Sequence, residues 1–282
     1  MQILTIDLED WFHILENNTT KTSSQWETYE TRIHANTDRI INALQGQSHR
    51  ATFFCLGWIA EKYPEVIRQI ADQGYEIGSH THLHQLLYEQ KPDEFREDLI
   101  RSVQTLADIT GKKVKYFRAP GFSITEQNKW VFDILVEQGI EIDSSIFPAS
   151  RAHGGFPGYS HTGPSVIRYN GITIKEFPVN AITLFGQPLI FSGGGYFRLL
   201  PYWVIKKCTG RSGYVMSYFH PRDFDPGQPM VPGLSPLRKF KSYYGLKSAE
   251  KKFKRWISDF EFIDIKTADE MIDWETVPVV EL

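Results

Sequence analysis

Short β-rich runs alternate with amphipathic helical stretches along this chain, and that alternation limits its fold more than any other feature. A strand–helix–strand repeat commits a chain to a mostly parallel sheet with helices packed against it. The spacing predicts strands at about 2–7, 50–56, 75–79, 114–118, 140–146, 172–177 and 213–219. Between them it predicts helices at about 36–44, 64–73, 92–109 and 126–138, with Gly74, Gly111 and Gly139 as natural stops. Within the longest, Phe95, Leu99, Val103 and Leu106 fall on one face and are read as core. The pattern breaks between Ala149 and Ser165, where Gly, Pro, His and Ser mark an irregular loop. A glycine-rich connection, FSGGGYFRLLPY, follows at 191–202, and a proline-rich loop covers 221–236. A Lys-rich helix near 247–257, a strand at 261–265 and a helix at 268–272 complete the reading. Seven or so β/α units favour an α/β fold of the distorted (β/α) barrel kind, and 282 residues fit one domain. That domain, 1–282, would carry an irregular insertion at about 147–202 and a C-terminal extension at about 221–282.

Composition removes several function classes. A net charge of -3 leaves no basic footprint for nucleic acid. No run of 18 apolar residues offers a membrane span, and no charged leader precedes the first strand, so a cytoplasmic protein is expected. Membrane association would then come through a lipid-linked substrate. Cys55 and Cys208 are too few for a disulfide framework or a cysteine zinc site, and Cys55, inside ATFFCLG, reads as a small buried hydrophobe. Aromatic residues at 14% suit stacking on sugar rings, though most are expected in the core.

The chemistry-bearing residues gather where strands end, which is where α/β folds build their sites. His80 and His84 occur in GSHTHLH directly after a predicted strand. If that segment turns helically, both imidazoles share a face and can bind one metal, while His82 points away. Taken alone, an HxxxH pattern is as well explained by a histidine-rich surface loop. Asp7, Glu9 and Asp10 crowd the end of the first strand in TIDLEDW. Such crowding is tolerated best beside a cation or an arginine, although solvated carboxylates at a strand exit are common. Two histidines plus one carboxylate make the ligand set of a hydrolytic zinc site with an open position for water. Arg118 in FRAPGF can orient a carboxylate, and the Pro120–Gly121 turn can aim a backbone N–H at an oxyanion. Asp143 in IDSS and His220 in YFHPRDFD also fall at strand ends, and His220 could act as an acid.

In this order, TIDLED, GSHTHLH, RAPGF, IDSS and YFH resemble the motifs of NodB-homology polysaccharide deacetylases, carbohydrate esterase family 4. The stretch around SGGGYFRLLPY looks like the subgroup tied to bacterial exopolysaccharide gene clusters. The resemblance implies a divalent cation, with zinc the expected ion, held by His80 and His84. It implies Asp7 as catalytic base, Arg118 as the arginine holding that base, and the Gly121 N–H as an oxyanion donor. It also implies His220 as the acid that protonates the leaving amine and Asp143 as the residue that tunes it. Two departures stand out. Tyr218 falls where the family has a leucine lining the acetyl-methyl pocket. Many relatives carry adjacent aspartates, whereas here Leu8 separates Asp7 from Glu9; strand alternation favours Glu9 as third ligand, and Asp10 is the alternative.

The reaction so implied is hydrolysis of an N-acetyl group on an amino sugar of a bacterial poly- or oligosaccharide, releasing acetate. Rival readings are hydrolysis of another amide-like bond on the same fold and a non-catalytic sugar-binding barrel. Glycoside hydrolysis by paired carboxylates would leave the histidines unexplained. The sugar and the oligomeric state leave no signature in the sequence.

Overall fold

The computed structural model describes residues 1–15, 17–46, 48–150, 154–184 and 187–282, with backbone alone for 183, 184 and 187–189. Its strands are β1 (Gln2–Ile3), β2 (Thr5–Leu8), β3 (Thr52–Cys55), β4 (Glu76–Ser79), β5 (Tyr116–Phe117) and β6 (Ile142–Asp143). They continue with β7 (Ser165–Tyr169), β8 (Ile172–Glu176), β9 (Ile182–Leu184), β10 (Gln187–Leu189), β11 (Val215–Met216) and β12 (Val279–Glu281). The first six helices are α1 (Ser23–Trp26), α2 (Ile33–Leu44), α3 (Gly57–Lys62), α4 (Pro64–Asp72), α5 (Pro92–Thr110) and α6 (Trp130–Glu137). The remaining five are α7 (Gly194–Leu199), α8 (Tyr202–Arg211), α9 (Pro236–Tyr243), α10 (Leu246–Asp259) and α11 (Ile265–Met271).

The sheet is mostly parallel and runs β12-β7-β8-β6-β5-β4-β3-β2, with β11 parallel to β1 and bridged onward from Phe219 to Ile6. Seven parallel strands or strand positions, β11, β1/β2, β3, β4, β5, β6 and β8, thus form a curved wall, as the β/α alternation predicts. Among the described residues, only the β7–β8 hairpin and the small β9–β10 pair are antiparallel. Among the described residues, the backbone ladder does not close the barrel between β8 and β11. Side chains bridge that seam: Asn180 Oδ1 accepts from the Met216 N–H at 2.9 Å, and Ser192 Oγ donates to the Met216 carbonyl at 2.8 Å.

One register row crosses the sheet through Leu8, Cys55, Ser79, Phe117, Asp143 and Glu176. Because side chains alternate along a strand, residues one step before or after the row share one face and the row itself faces the other. Phe54, Tyr116 and Ile142, one step before, pack with Ile3, Phe177 and Met216 in a small inner core. The row faces the helices instead, as the 2.8 Å Ser79–Ser102 hydroxyl contact to α5 shows. Gly78 lies in this inner layer because a Cβ there would stand 2.8 Å from the Phe54 ring and 2.9 Å from Tyr116.

The helices follow local chemistry. Proline opens α5, Asp93 and Glu94 occupy its first turn, and Gly111 ends it at φ 66°. Burial of its Phe95, Leu99 and Leu106 contributes on the order of 1.5–3 kcal/mol each. The helix predicted from 126 begins at Trp130, because Asn128 Oδ1 holds the Thr125 N–H and hydroxyl in a turn just before it. The glycine-rich connection is not irregular throughout, since α7 forms inside it. The strand predicted at 261–265 reduces to one bridge, Ile3 to Ile263, because Asp264 caps α11 by accepting from the Thr267 N–H at 2.7 Å. Of the predicted 149–165 loop, residues 151–153 lie outside the described residues, and β7 begins at its last residue.

Candidate active site

Each predicted site residue sits at the C-terminal rim of the parallel strands, and the register row explains which of them meet. Glu9, His80 and Arg118 lie one step past the row and Asp7 one step before it, so all four face the same side. The Ile6–Phe219 bridge sets His220 opposite Asp7. Asp143 is on the row and faces away.

Glu9, His80 and His84 are buried, and their ligating atoms lie within 4.8 Å of one another, a set able to hold a metal ion. Glu9 Oε1 is 2.9 Å from His84 Nε2 and 3.2 Å from His80 Nε2. The histidines do not converge on a helix, as the HxxxH spacing predicts. They converge through a turn in which Thr81 and His84 take φ of 66° and 54°. Asp98 of α5 pins that turn by accepting the N–H groups of His82 and Leu83 at 2.6 and 2.9 Å. His82 points away, as expected, with Nε2 3.7 Å from Glu61.

The donor set suits a divalent cation. His80 Nδ1 sits 2.7 Å from the Arg118 carbonyl, an acceptor, so Nδ1 carries a proton. On a neutral ring Nε2 then presents a lone pair to the Glu9 carboxylate, and a cation between the two satisfies both. Burial works to raise the Glu9 pKa, but His84, His220 and His80 outweigh it and hold the carboxyl well below its usual range. It is therefore ionised and ready to ligate.

Asp10 is not part of this centre, which corrects the alternative that the sequence left open. Its carboxylate accepts from Thr31 Oγ1 at 2.5 Å, the Arg32 N–H at 3.0 Å and the Trp11 N–H at 2.8 Å, fixing the approach to α2. The acidic cluster thus divides three ways, with Asp7 on arginine, Glu9 on the histidines and Asp10 on backbone.

Asp7 Oδ1 is 2.8 Å from Arg118 Nη1, a pair buried at the sheet rim. The guanidinium also donates to Thr5 Oγ1 at 2.6 Å, the Ser144 carbonyl at 3.0 Å and Ser144 Oγ at 2.9 Å, and it lies 4.3 Å from the Phe54 ring. This network leaves Arg118 no freedom to leave Asp7. Gly121 adopts φ 60° inside the short turn Pro120–Phe122. Tyr218 packs edge-on against the Phe122 ring at 5.0 Å, making an aromatic wall two residues before His220.

His220 is the solvent-side member, with 27% of its side chain exposed; its Nε2 is 3.6 Å from Glu9 Oε1 and 3.9 Å from Asp7 Oδ2. Its partner on Nδ1 is not Asp143 but Asp223, at 3.1 Å, which also accepts the His220 N–H at 2.9 Å. Arg198 of α7 stands 3.4 Å behind Asp223. Burial pulls the His220 pKa down, but the carboxylates of Glu9, Asp223 and Asp7 outweigh it and raise it to about 9. A cation on Glu9 would remove part of that lift. Asp143 instead accepts from Ser145 Oγ at 2.5 Å, and Ser145 Oγ accepts the Ala119 N–H at 2.8 Å, so Asp143 braces the loop carrying Arg118. Burial pushes both Asp143 and its neighbour Glu176 upward. Asp223 was legible only as an acid three residues after a histidine; Asp98 and Arg198 had no local signal.

Beside His84 a cavity of about 390 Å³ opens, with His13, Asn17, Lys21, Trp26, Gln85 and Glu89 in its lining.

The fold and site together define an α/β protein whose mostly parallel, barrel-like sheet carries at its C-terminal rim a His–His–carboxylate cluster able to hold a metal ion. More particularly, residues 17–141 match the polysaccharide deacetylase family model. Residues 144–270 match a second model, described as a domain of unknown function, DUF3473. A peptidoglycan-N-acetylglucosamine deacetylase of Bacillus cereus is 33% identical over 120 residues, 38% of this chain and 44% of that protein. A chitooligosaccharide deacetylase of Azorhizobium caulinodans is 33% identical over 100 residues, covering 35% and 48%. The matches thus span less than half the length of these relatives. A solved structure of a polysaccharide deacetylase family protein from Mycobacterium smegmatis covers all of this chain and 94% of its own, with a TM-score of 0.64 at 18% identity. The allantoinase Puue follows at 0.52 and 16%, covering 81% and 68%. Both likenesses concern the fold. Asp7, Glu9 and His220 lie outside the stretch matched by the deacetylase model, so their placement rests on the geometry above.

Proposed function

We propose that this chain is a metal-dependent N-deacetylase acting on N-acetylated amino sugars of a bacterial poly- or oligosaccharide. The observation that carries the reading is the convergence of Glu9, His80 and His84 within ligand distance, with His220 3.6 Å from Glu9 and 3.9 Å from Asp7. A divalent cation held by those three residues, with zinc the ion we expect, would polarise the acetamide carbonyl and lower the pKa of an attacking water.

The chain's own groups then divide the proton work. Asp7, held in place by Arg118, accepts the proton of the attacking water. Arg118 fixes the carboxylate in one orientation, and the Gly121 N–H faces the oxyanion that develops on the carbonyl. His220, protonated at neutral pH and oriented by Asp223, delivers a proton to the departing nitrogen, so the products are acetate and a free amine. Tyr218 and Phe122 bound the space for the acetyl methyl group, and the cavity beside His84 receives a flanking sugar. We read residues 1–282 as one domain in which the 147–202 and 221–282 segments shape the substrate side. The exopolysaccharide class of polymer is supported by the resemblance around 191–202.

Calorimetric titration of the chelator-stripped protein with Zn²⁺ tests the centre. One site is expected in the natural chain and in Asp10→Asn, with loss of at least tenfold in affinity for Glu9→Ala. Undiminished binding by Glu9→Ala would overturn this ligand set.

A further inference from the structure

We propose that the face formed by α7, the start of α8 and α9 docks onto an anionic lipid bilayer. α9 buries none of its residues. Its Leu237 and Phe240, with Tyr244 just beyond, follow an i, i+3, i+7 spacing that places them on one side of the helix. All three are exposed, Leu237 by 62%, and the Phe240 and Tyr244 rings lie 4.8 Å apart. α7 is bound alongside, because the Arg198 guanidinium donates to the carbonyls of Lys241 and Ser242 at 2.8 and 2.7 Å. It adds Tyr196 and Leu199, and the first turn of α8 adds Trp203, exposed by 68%. Single exposed apolar residues are ordinary, but six on three adjoining segments are not.

The charge around them selects the occupant. Residues 191–212 and 226–249 together hold eight Lys and Arg and no Asp or Glu, in a chain whose net charge is -3. Arg198 is committed to Asp223 and Lys206 to Asp259, while Lys207, Lys239, Lys241 and Lys247 are exposed. Protruding aliphatic and aromatic tips among lysines are what an interfacial helix presents to anionic headgroups. A second copy of the chain fits less well, since a two-fold contact through α9 would set Lys239 and Lys241 against themselves. A neutral sugar polymer fits less well too, since it would use the four exposed rings but not Leu199, Leu237 or the lysines around them. Among the described residues no helix is long and apolar enough to cross a membrane, so the contact is peripheral. The patch adjoins the site through Arg198 and Asp223, next to His220, where a substrate held at a membrane would arrive. The inference rests on surface chemistry and stands apart from the reading of the metal centre.

Flotation of the full chain with vesicles tests it. The protein should float with phosphatidylcholine vesicles containing phosphatidylglycerol and not with pure phosphatidylcholine, and Trp203 should shift its emission to the blue on binding. Lys239→Glu with Lys241→Glu should lower the partition coefficient about thirtyfold, at roughly fivefold per basic residue. Trp203→Ser with Phe240→Ser should abolish flotation, and both pairs should keep the thermal midpoint of the natural chain. Failure to float with the anionic vesicles would overturn the proposal, as would equal flotation with both kinds or variants that float normally. A dimer in light scattering that the same variants dissolve would assign the face to a second copy instead.

Discussion

At the scale of single residues, three neighbouring carboxylates in DLED have three different fates, set by partners that are distant in sequence. Arg118 takes Asp7, the histidines take Glu9, and the backbone before α2 takes Asp10. The pairing of His220 with Asp223 is the most consequential contact that the motif order did not anticipate. Its negative charge helps raise His220 to about 9 and so keeps the imidazole protonated at neutral pH. A raised pKa means the acid is present below that value and lost as pH climbs through it. Asp223→Asn removes part of the lift, so the alkaline limb of kcat/KM should move about one pH unit lower. Asp143→Asn should leave that limb in place. An alkaline limb indifferent to Asp223 but moved by Asp143 would return the tuning role to the residue implied by family resemblance.

At the scale of elements, the strand ends were legible and the turns after them were not. Periodicity gives a strand's position and therefore the rim where a site forms, but the turn after β4 depends on Asp98 of α5, far along the chain. Helical spacing thus does not explain how His80 and His84 meet: positive φ at Thr81 and His84 brings them together. Strand alternation favours Glu9, and Glu9 does lie beside the two histidines, because Glu9 and Asp7 keep the same parity even though β2 ends at Leu8. Asp143 was placed correctly at a strand end, yet its facing required the register between strands, which a single sequence does not carry. The helix inside the glycine-rich 191–202 segment escaped detection for a related reason. Its hold comes from Arg198 and from Lys252 of α10, which caps the carbonyls of Phe197, Arg198 and Leu200. Asp98→Ala frees the His82–Leu83 backbone, and zinc affinity measured by competition with a chromogenic chelator should fall about 10- to 100-fold. Unchanged affinity would mean the turn holds its shape without α5.

At the scale of the whole molecule, the sheet aligns its C-terminal rim so that β2, β4, β5 and the segment after β11 each deliver one part of the candidate site. The barrel seam between β8 and β11, bridged by Asn180 and Ser192, lies beside the strand that leads to His220. The second half of the chain is thus built into the same wall, with β11 beside β1 and Phe219 bridged to Ile6. It contributes His220, Asp223 and the basic aromatic face, while the stretch matched by the deacetylase model contributes the two histidines and Arg118. The account joins these parts in one claim, cation-dependent release of acetate, and a single assay addresses it. The chelator-stripped chain, then the zinc-loaded chain, is incubated with a chitooligosaccharide while acetate is measured. Release is predicted only after loading, with a loss of roughly a hundredfold or more in Asp7→Asn that retains its metal. Equal release by the stripped protein, or full activity in Asp7→Asn, would contradict the account.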